Sequence, residues 1–274
     1  MAITAADVSK LRKMTGAGMM DCKNALEETK GDFELAVDVI RKRGQLVASK
    51  RADRNATEGV VIAKVSDKAA KGALIVLNSE TDFVAKNADF IKFAQDILDI
   101  AVEKMPANLD ALKALPFGKS TIGDRVTEQV GIIGEKLDLS FFGKIEASQV
   151  VPYIHPGNKL ATLIGLNKAV EAQVGKDVAM QVAAMNPVAV DKSDVTPEMI
   201  EHEKEIGREQ ARNEGKAENM LDKIAEGKLN KFFKESTLLN QEFTKDNTKT
   251  VRQYLQGFDK DLTVTAFVRY TLNQ

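Results

Sequence analysis

The spacing of apolar residues changes its period along the chain, and each change marks a different kind of element. Over residues 1–44 apolar positions recur at helical spacing in three short groups, each bounded by capping or breaking residues. Thr4, with Asp7 three residues on, reads as the cap of a first helix whose buried stripe is Val8, Leu11 and Met14. Gly16-Ala17-Gly18 breaks it. A second helix runs from Met19 to about Thr29 with Cys22, Ala25 and Leu26 facing inward, and Gly31 supplies the left-handed residue that helix ends favour. Asp32 caps a third helix with Phe33, Ala36, Val37 and Ile40 on its inner face, closed by Gly44. So small a bundle has a thin core in which Met19 and Met20 do not both fit. One of them can face a partner, as methionine does at adaptable contacts, or is simply a core or half-exposed methionine.

Residues 45–56 lack a sustained apolar face and read as a basic, solvated linker carrying Lys50, Arg51 and Arg54. With Arg41-Lys42-Arg43 they form a strip that could meet RNA, although charge runs are ordinarily just solvated surface.

From Gly59 the pattern becomes that of strands. Val60–Val65 and Ala73–Leu77 are short β-rich runs joined by the polar connection Ser66–Gly72. A long helix follows, with Phe90, Phe93, Ala94, Ile97, Leu98 and Ala101 on one face, then a link through Pro106 and Pro116. A helix near Ile122–Ile133 and a strand from Lys136 to Ala147 complete the order β, β, α, α, β over residues 57–147. The same order recurs over residues 148–274. Val150–His155 and Leu160–Leu166 form a hairpin across Pro156-Gly157-Asn158-Lys159, and a helix bearing Val178, Val182 and Met185 ends at Asn186-Pro187. A helix marked by Val251, Tyr254 and Leu255 precedes a closing strand at Thr263–Tyr270. Residues 196–234 interrupt this second repeat: Thr196-Pro197 opens a highly charged helix, and Met220, Leu221, Ile224 and Phe232 bring a second one back. Too few apolar residues remain for a core of its own, so a protruding helical hairpin is expected. The fold class is therefore α+β: a three-helix bundle, a linker, and two repeated subdomains, each with a small antiparallel sheet and helices.

Between the first repeat's second strand and its long helix lies Asn78-Ser79-Glu80-Thr81-Asp82-Phe83-Val84-Ala85-Lys86-Asn87. If a helix begins at Thr81, Phe83 stands seven residues before Phe90 and extends the core stripe. Asn87-Ala88-Asp89 is a second capping cluster, however, and a fresh start there leaves Phe83 on a separate turn where an aromatic beside an acid can be exposed for binding.

Composition narrows the function classes. Lys plus Arg number 39 against 40 Asp plus Glu, so no global basic field drives the chain toward nucleic acid, and stable nucleic-acid binding is not expected. No apolar run approaches the roughly 20 residues of a membrane span, and the amino terminus shows no secretory leader. A lone Cys22 excludes an internal disulfide, and the cytoplasm is the expected location. His155 and His202 fall in different elements without an acidic pair at ligand spacing, and no Walker loop or Rossmann glycine pattern occurs. No cofactor and no covalent chemistry are expected.

Two runs resemble a known family. Leu11-Arg12-Lys13-Met14-Thr15-Gly16-Ala17-Gly18-Met19-Met20-Asp21-Cys22-Lys23-Asn24-Ala25-Leu26 and Glu80-Thr81-Asp82-Phe83-Val84-Ala85-Lys86 look like the two signature segments of translation elongation factor Ts, in the same order and spacing. Further matches are Val182-Ala183-Ala184 before Asn186-Pro187, Ile224–Phe232 and the region of Gln241-Glu242-Phe243. The chain departs between the first repeat's helices and at its end, where a terminal extension used by some relatives is missing or replaced. The resemblance implies a UBA-like (ubiquitin-associated) bundle and guanine-nucleotide exchange on elongation factor Tu. It further implies that Thr81, Asp82, Phe83 and Val84 form a loop that dislocates magnesium in that partner, that His155 lies in the same neighbourhood, and that Met19 and Met20 touch the partner's G domain. A higher-order complex with the partner is compatible with this. It also favours an exposed Phe83.

Two other classes compete. A binding adaptor would use the bundle without affecting nucleotide. An enzyme would use Glu80 and Asp82 as an acid pair, although nothing nearby in sequence would tune their protonation.

Overall fold

Thr4 opens the first helix as its spacing to Asp7 predicts. In the computed structural model its hydroxyl accepts the Asp7 amide at 3.2 Å while the Asp7 carboxylate accepts the Thr4 amide at 3.0 Å. The structure describes residues 3–273; Met1 and Ala2, part of the terminus read for a leader, and Gln274, the last residue of the second repeat, lie outside the described residues.

Helix α1 (Ala5–Thr15) ends at Gly16 with φ 75°, α2 (Met19–Glu28) follows, and Asp32 caps α3 (Phe33–Lys50) by accepting the Glu34 and Leu35 amides at 2.9 and 3.0 Å. Leu11, Cys22, Ala25, Leu26 and Ala36 are wholly buried among these helices. Two expectations fail here. Met14 is 58% exposed rather than part of the core, and its contribution is replaced by buried Ala17. Helix α3 does not stop at Gly44 but continues to Lys50, so residues 45–50 of the expected linker are helical. Gly44 is a buried residue in the helix interior and ends nothing.

The first repeat runs β1 (Glu58–Val65), β2 (Lys71–Ser79), α4 (Asp82–Ala85), α5 (Ala88–Lys104), α6 (Leu109–Lys113), β3 (Pro116–Phe117), β4 (Ser120–Thr121), α7 (Ile122–Ile133) and β5 (Asp138–Glu146). The second runs β6 (Gln149–Ile154), β7 (Leu160–Leu166), α8 (Ala172–Met185), α9 (Pro197–Asn213), α10 (Leu221–Ser236), β8 (Glu242–Phe243), β9 (Asp246–Thr250), α11 (Val251–Gln256) and β10 (Val264–Thr271). The strand orders are β1-β2-β5 and β6-β7-β10: each final strand joins the second strand of its hairpin. The internal repeat is thus a repeat of topology. Each copy also carries a two-stranded ribbon, β3-β4 or β8-β9, just before a helix opened by a reciprocal threonine cap, Thr121 with Asp124 and Thr250 with Gln253. The β3-β4 ribbon and α6 occupy the segment expected to be a proline-punctuated link.

Chain contacts divide the protein into two units. One takes the residues up to Ile62, Ile75–Phe142 and the last residues from Leu272; the other takes Ala63–Leu74 and Gly143–Thr271. The tip of the first hairpin therefore groups with the second unit, where Ala69 and Ala70 carbonyls accept the Val150 and Ala147 amides at 2.6 and 3.1 Å.

In the second unit β6 and β7 pair antiparallel with Val150 opposite Gly165, and β7 pairs antiparallel with β10 with Ile164 opposite Phe267. Val178, Val182, Leu238, Val251 and Leu255 are buried with Ile164 and Leu166 in one core. The arm α9-α10 is held together by small residues. A Cβ on Gly207 would stand 3.0 Å from the Ala225 Cα, a close approach that buries Ala211, Leu221 and Leu229 between the helices. The returning chain is tied down by Gln181, whose amide donates to Gln241 Oε1 and the Glu242 carbonyl, each at 3.1 Å. Among the described residues no helix is long and apolar enough to cross a membrane.

Candidate functional site

Strand β2 ends at fully buried Ser79, whose hydroxyl donates to the Thr81 carbonyl at 2.9 Å and bends the chain off the sheet. Thr81 is extended (φ −121°, ψ 155°) and caps α4, accepting the Val84 amide at 3.5 Å. Only one helical turn follows. Asn87 returns to extended backbone (φ −69°, ψ 131°) and its side chain accepts the Asp89 amide at 2.8 Å, starting α5 afresh. The second capping cluster therefore decides between the two readings of the sequence. Phe83 lies on a separate turn and is 84% exposed, while the core stripe of α5 begins at Phe90. Ala85 is buried beneath the turn, and Val84 and Asp82 are half-buried.

Asp82 accepts from the Lys86 ammonium at 2.6 Å. That hydrogen bond, with the carboxylate's charge, holds the Lys86 pKa above its ordinary value. The turn thus presents a bare aromatic ring beside an ionised carboxylate.

Behind it, two carboxylates reach in opposite directions. Glu80 accepts the Lys136 amide at 2.6 Å and the Arg51 and Arg54 guanidinium groups at 2.8 and 3.2 Å. Glu135 accepts the Thr81 amide at 3.0 Å and the Thr81 hydroxyl at 2.7 Å. The Lys136 ammonium reaches the Ala52 and Arg54 carbonyls at 2.6 and 2.9 Å. The Lys136 amide, aided by Arg51 and Arg54 and opposed by burial, holds the Glu80 carboxyl below its ordinary range. The second half of the expected solvated linker is therefore bonded to the site. Deeper in the sheet, Asn78 donates to the Glu58 carbonyl at 3.1 Å and accepts from Ser140. Arg51, Arg54, Glu135 and Lys136 carry no signal in the sequence that assigns them to this site. Their partners lie 26 to 56 residues away, beyond any local spacing signal.

The remaining candidate residues stand on other elements. Met19 and Met20 occupy the first positions of α2, 54% and 65% exposed, so both lie outside the bundle core. His155, in the second unit, is exposed in the β6–β7 connection, where its amide donates to the Leu160 carbonyl at 2.8 Å and its Nδ1 lies 2.9 Å from the Tyr153 hydroxyl. Gly157 (φ 91°) and Asn158 (φ 56°) supply the left-handed backbone that this turn needs. His202 is on α9. Among the described residues no cluster of three or more His, Cys, Asp or Glu side chains could hold a metal ion.

The family model described as Elongation factor TS matches residues 80–274, a span that begins at the stem of this turn. Similarity to individual proteins extends further, through the bundle. The chain is 53% identical to Elongation factor Ts of Porphyromonas gingivalis over 274 residues, covering 100% of this chain and 99% of that protein. It is 51% identical to Elongation factor Ts of Cytophaga hutchinsonii over 275 residues, with 99% of each covered. It is 46% identical to that of Flavobacterium psychrophilum over 272 residues, with 98% of each covered. With a family model spanning more than half its length and relatives matched end to end, the chain belongs to the elongation factor Ts family of translation factors.

Proposed function

We propose that this protein is a guanine-nucleotide exchange factor that binds elongation factor Tu carrying GDP, perturbs its magnesium site and releases GDP so that GTP can bind. The observation that carries this reading is Phe83, an aromatic ring 84% exposed on a single braced turn beside ionised Asp82. Large side chains left so bare on a short turn are candidates for insertion into a partner.

The required coupling exceeds what one ring supplies. A ten-thousandfold faster release corresponds to about 5.5 kcal/mol, whereas burying one phenylalanine contributes roughly 1.5 to 3 kcal/mol. In this reading Phe83 wedges an element of the partner aside. Asp82 acts on the metal's water shell, which magnesium holds in a strict octahedron and which fastens the nucleotide's phosphates. Met19, Met20 and His155 supply further contact, and Thr81 and Val84 complete the inserted turn. The exchange factor acts by differential binding and makes no covalent bond. Because coupling is reciprocal, bound nucleotide weakens the factor's own hold, and the excess of GTP in the cytoplasm sets the direction.

The test is the release rate of a fluorescent GDP from elongation factor Tu, with and without this protein, at fixed magnesium and in excess unlabelled nucleotide. Acceleration is expected, and loss of most of it in the Asp82→Ala, Phe83→Ala double variant. Stable binding without acceleration would make the protein an adaptor instead.

A further inference from the structure

A turn of four residues cannot hold its own direction. Helix α4 contains little beyond the Ala85-to-Thr81 and Lys86-to-Asp82 backbone bonds at 3.3 and 3.0 Å, and one isolated turn is not stable in water. Phe83 is too exposed to anchor it, and an exposed pair such as Lys86 with Asp82 contributes little. With Ala85 its one buried side chain, the turn depends on the stem for its direction.

The stem has a reciprocal geometry. The carboxylate of residue 80 accepts the amide of residue 136, and the carboxylate of residue 135 accepts the amide of residue 81, at 2.6 and 3.0 Å. The same swap of side chain for backbone that caps a helix here joins two segments of the first unit. Glu135 does more than accept one amide. It accepts the hydrogen bond that the Thr81 hydroxyl donates at 2.7 Å, which leaves the hydroxyl's lone pairs free to accept the Val84 amide inside α4. Glu135 thereby orients the cap of the very turn that carries Phe83. Glu135 follows directly on Gly134, the left-handed end of α7 (φ 78°), so the clamp refers the turn to the end of a twelve-residue helix. Arg51 and Arg54 close the other side through Glu80.

We propose that Glu135, with Glu80, is a positioning residue for nucleotide exchange: its carboxylate fixes the Thr81 cap and so aims Phe83 and Asp82 at the partner. This rests on the exchange function proposed above. Misplacing a reacting or wedging group by about 1 Å costs on the order of a hundredfold in rate. Removing the clamp is thus expected to lower the maximal release rate while leaving association governed by the other contact surfaces.

The experiment is GDP release from elongation factor Tu at increasing concentrations of wild-type protein, Glu135→Ala, Glu135→Gln, Thr81→Val and Thr81→Ser. Circular dichroism and binding to nucleotide-free partner are measured in parallel. For Glu135→Ala the plateau rate should fall about ten- to a hundredfold with the half-saturating concentration changed less than about threefold. Glu135→Gln, which keeps one acceptor oxygen, should fall between wild type and Glu135→Ala. Thr81→Ser, which keeps the hydroxyl that bonds Glu135, should lose less of the plateau than Thr81→Val, a comparison that stands even if Glu135→Ala fails to fold. A wild-type plateau in Glu135→Ala, or an effect confined to half-saturation, would overturn the positioning role. No acceleration by the wild-type protein would instead overturn the exchange function itself.

Discussion

Gly44 of α3 and Gly131 of α7 cross so closely that a Cβ on Gly131 would stand 2.3 Å from the Gly44 Cα. The contact is not symmetric. A Cβ on Gly44 would find its nearest atoms at 3.6 to 3.7 Å, an ordinary van der Waals distance. Ion pairs from Arg41 to Glu128 and Asp124, at 3.2 and 3.4 Å, flank the crossing. The bundle bearing Met19 and Met20 and the turn bearing Phe83 are thereby both referred to α7.

This asymmetry predicts opposite outcomes for two identical changes. Gly131→Ala should force the helices apart and cost about 1 to 3 kcal/mol, as overpacking does. Gly44→Ala should be neutral or stabilise by up to about 1 kcal/mol, because alanine suits a helix interior and space exists for it. Urea midpoints of the two variants decide this; equal effects would mean that the crossing is looser than described.

Phe83→Ala should separate function from stability. Its side chain leaves almost nothing unfilled on removal, so the unfolding midpoint should change by less than about 0.5 kcal/mol. GDP release from the partner should nevertheless slow at least about tenfold. That estimate takes roughly 1.5 to 3 kcal/mol for the buried ring, against 1.36 kcal/mol per factor of ten, so the lower end sets the tenfold floor. A large stability loss with unchanged exchange would reverse the assignment of this ring from contact to core.

The Glu80 stem should show its charge in a titration. Its folded pKa is depressed, so the stabilisation it contributes is fully present above its ordinary value of 4.5 and disappears as pH falls through the lower folded value. The amide resonance of Lys136, which donates to this carboxylate, reports the event directly. Its pH midpoint should lie below 4.5. A midpoint at or above that value would mean that the stem bonds do not persist in solution.

Tyr254 provides the corresponding alkaline test in the second unit. Burial, then its hydrogen bond to Asp177 at 3.1 Å, pushes its phenol up to about 12, and its ring stacks on Phe243 with centroids 4.1 Å apart. A raised folded pKa means that this stabilisation is complete below pH 10 and is lost between 10 and about 12. Phenolate absorbance should show a step that extends to about pH 12, and Tyr254→Phe should remove that late step.

What the sequence determined by itself is what depends on neighbours a few residues apart. The caps at Thr4, Asp32, Asn87 and Thr196 and the left-handed ends at Gly16 and Asn186 all follow from bonds or side-chain faces within about one turn. The recurrence of one element order in two halves was legible for the same reason, and so was the family resemblance carried by contiguous motifs. The two-residue strands β3 and β4 were not, because they are too short to show a period. Gly44 reads as a helix end because a glycine that stops a helix and one that the helix runs through, here facing Gly131, look identical in sequence. Whether Phe83 faced the core or the solvent was open from spacing alone, since Thr81 and Asn87 are both competent caps. The stem of the turn belongs entirely to the tertiary structure. Glu80 meets Lys136 and Thr81 meets Glu135 across 56 and 54 residues, and only the pairing of β5 with β2 brings the segment leading into β5 within hydrogen-bonding distance of the end of β2.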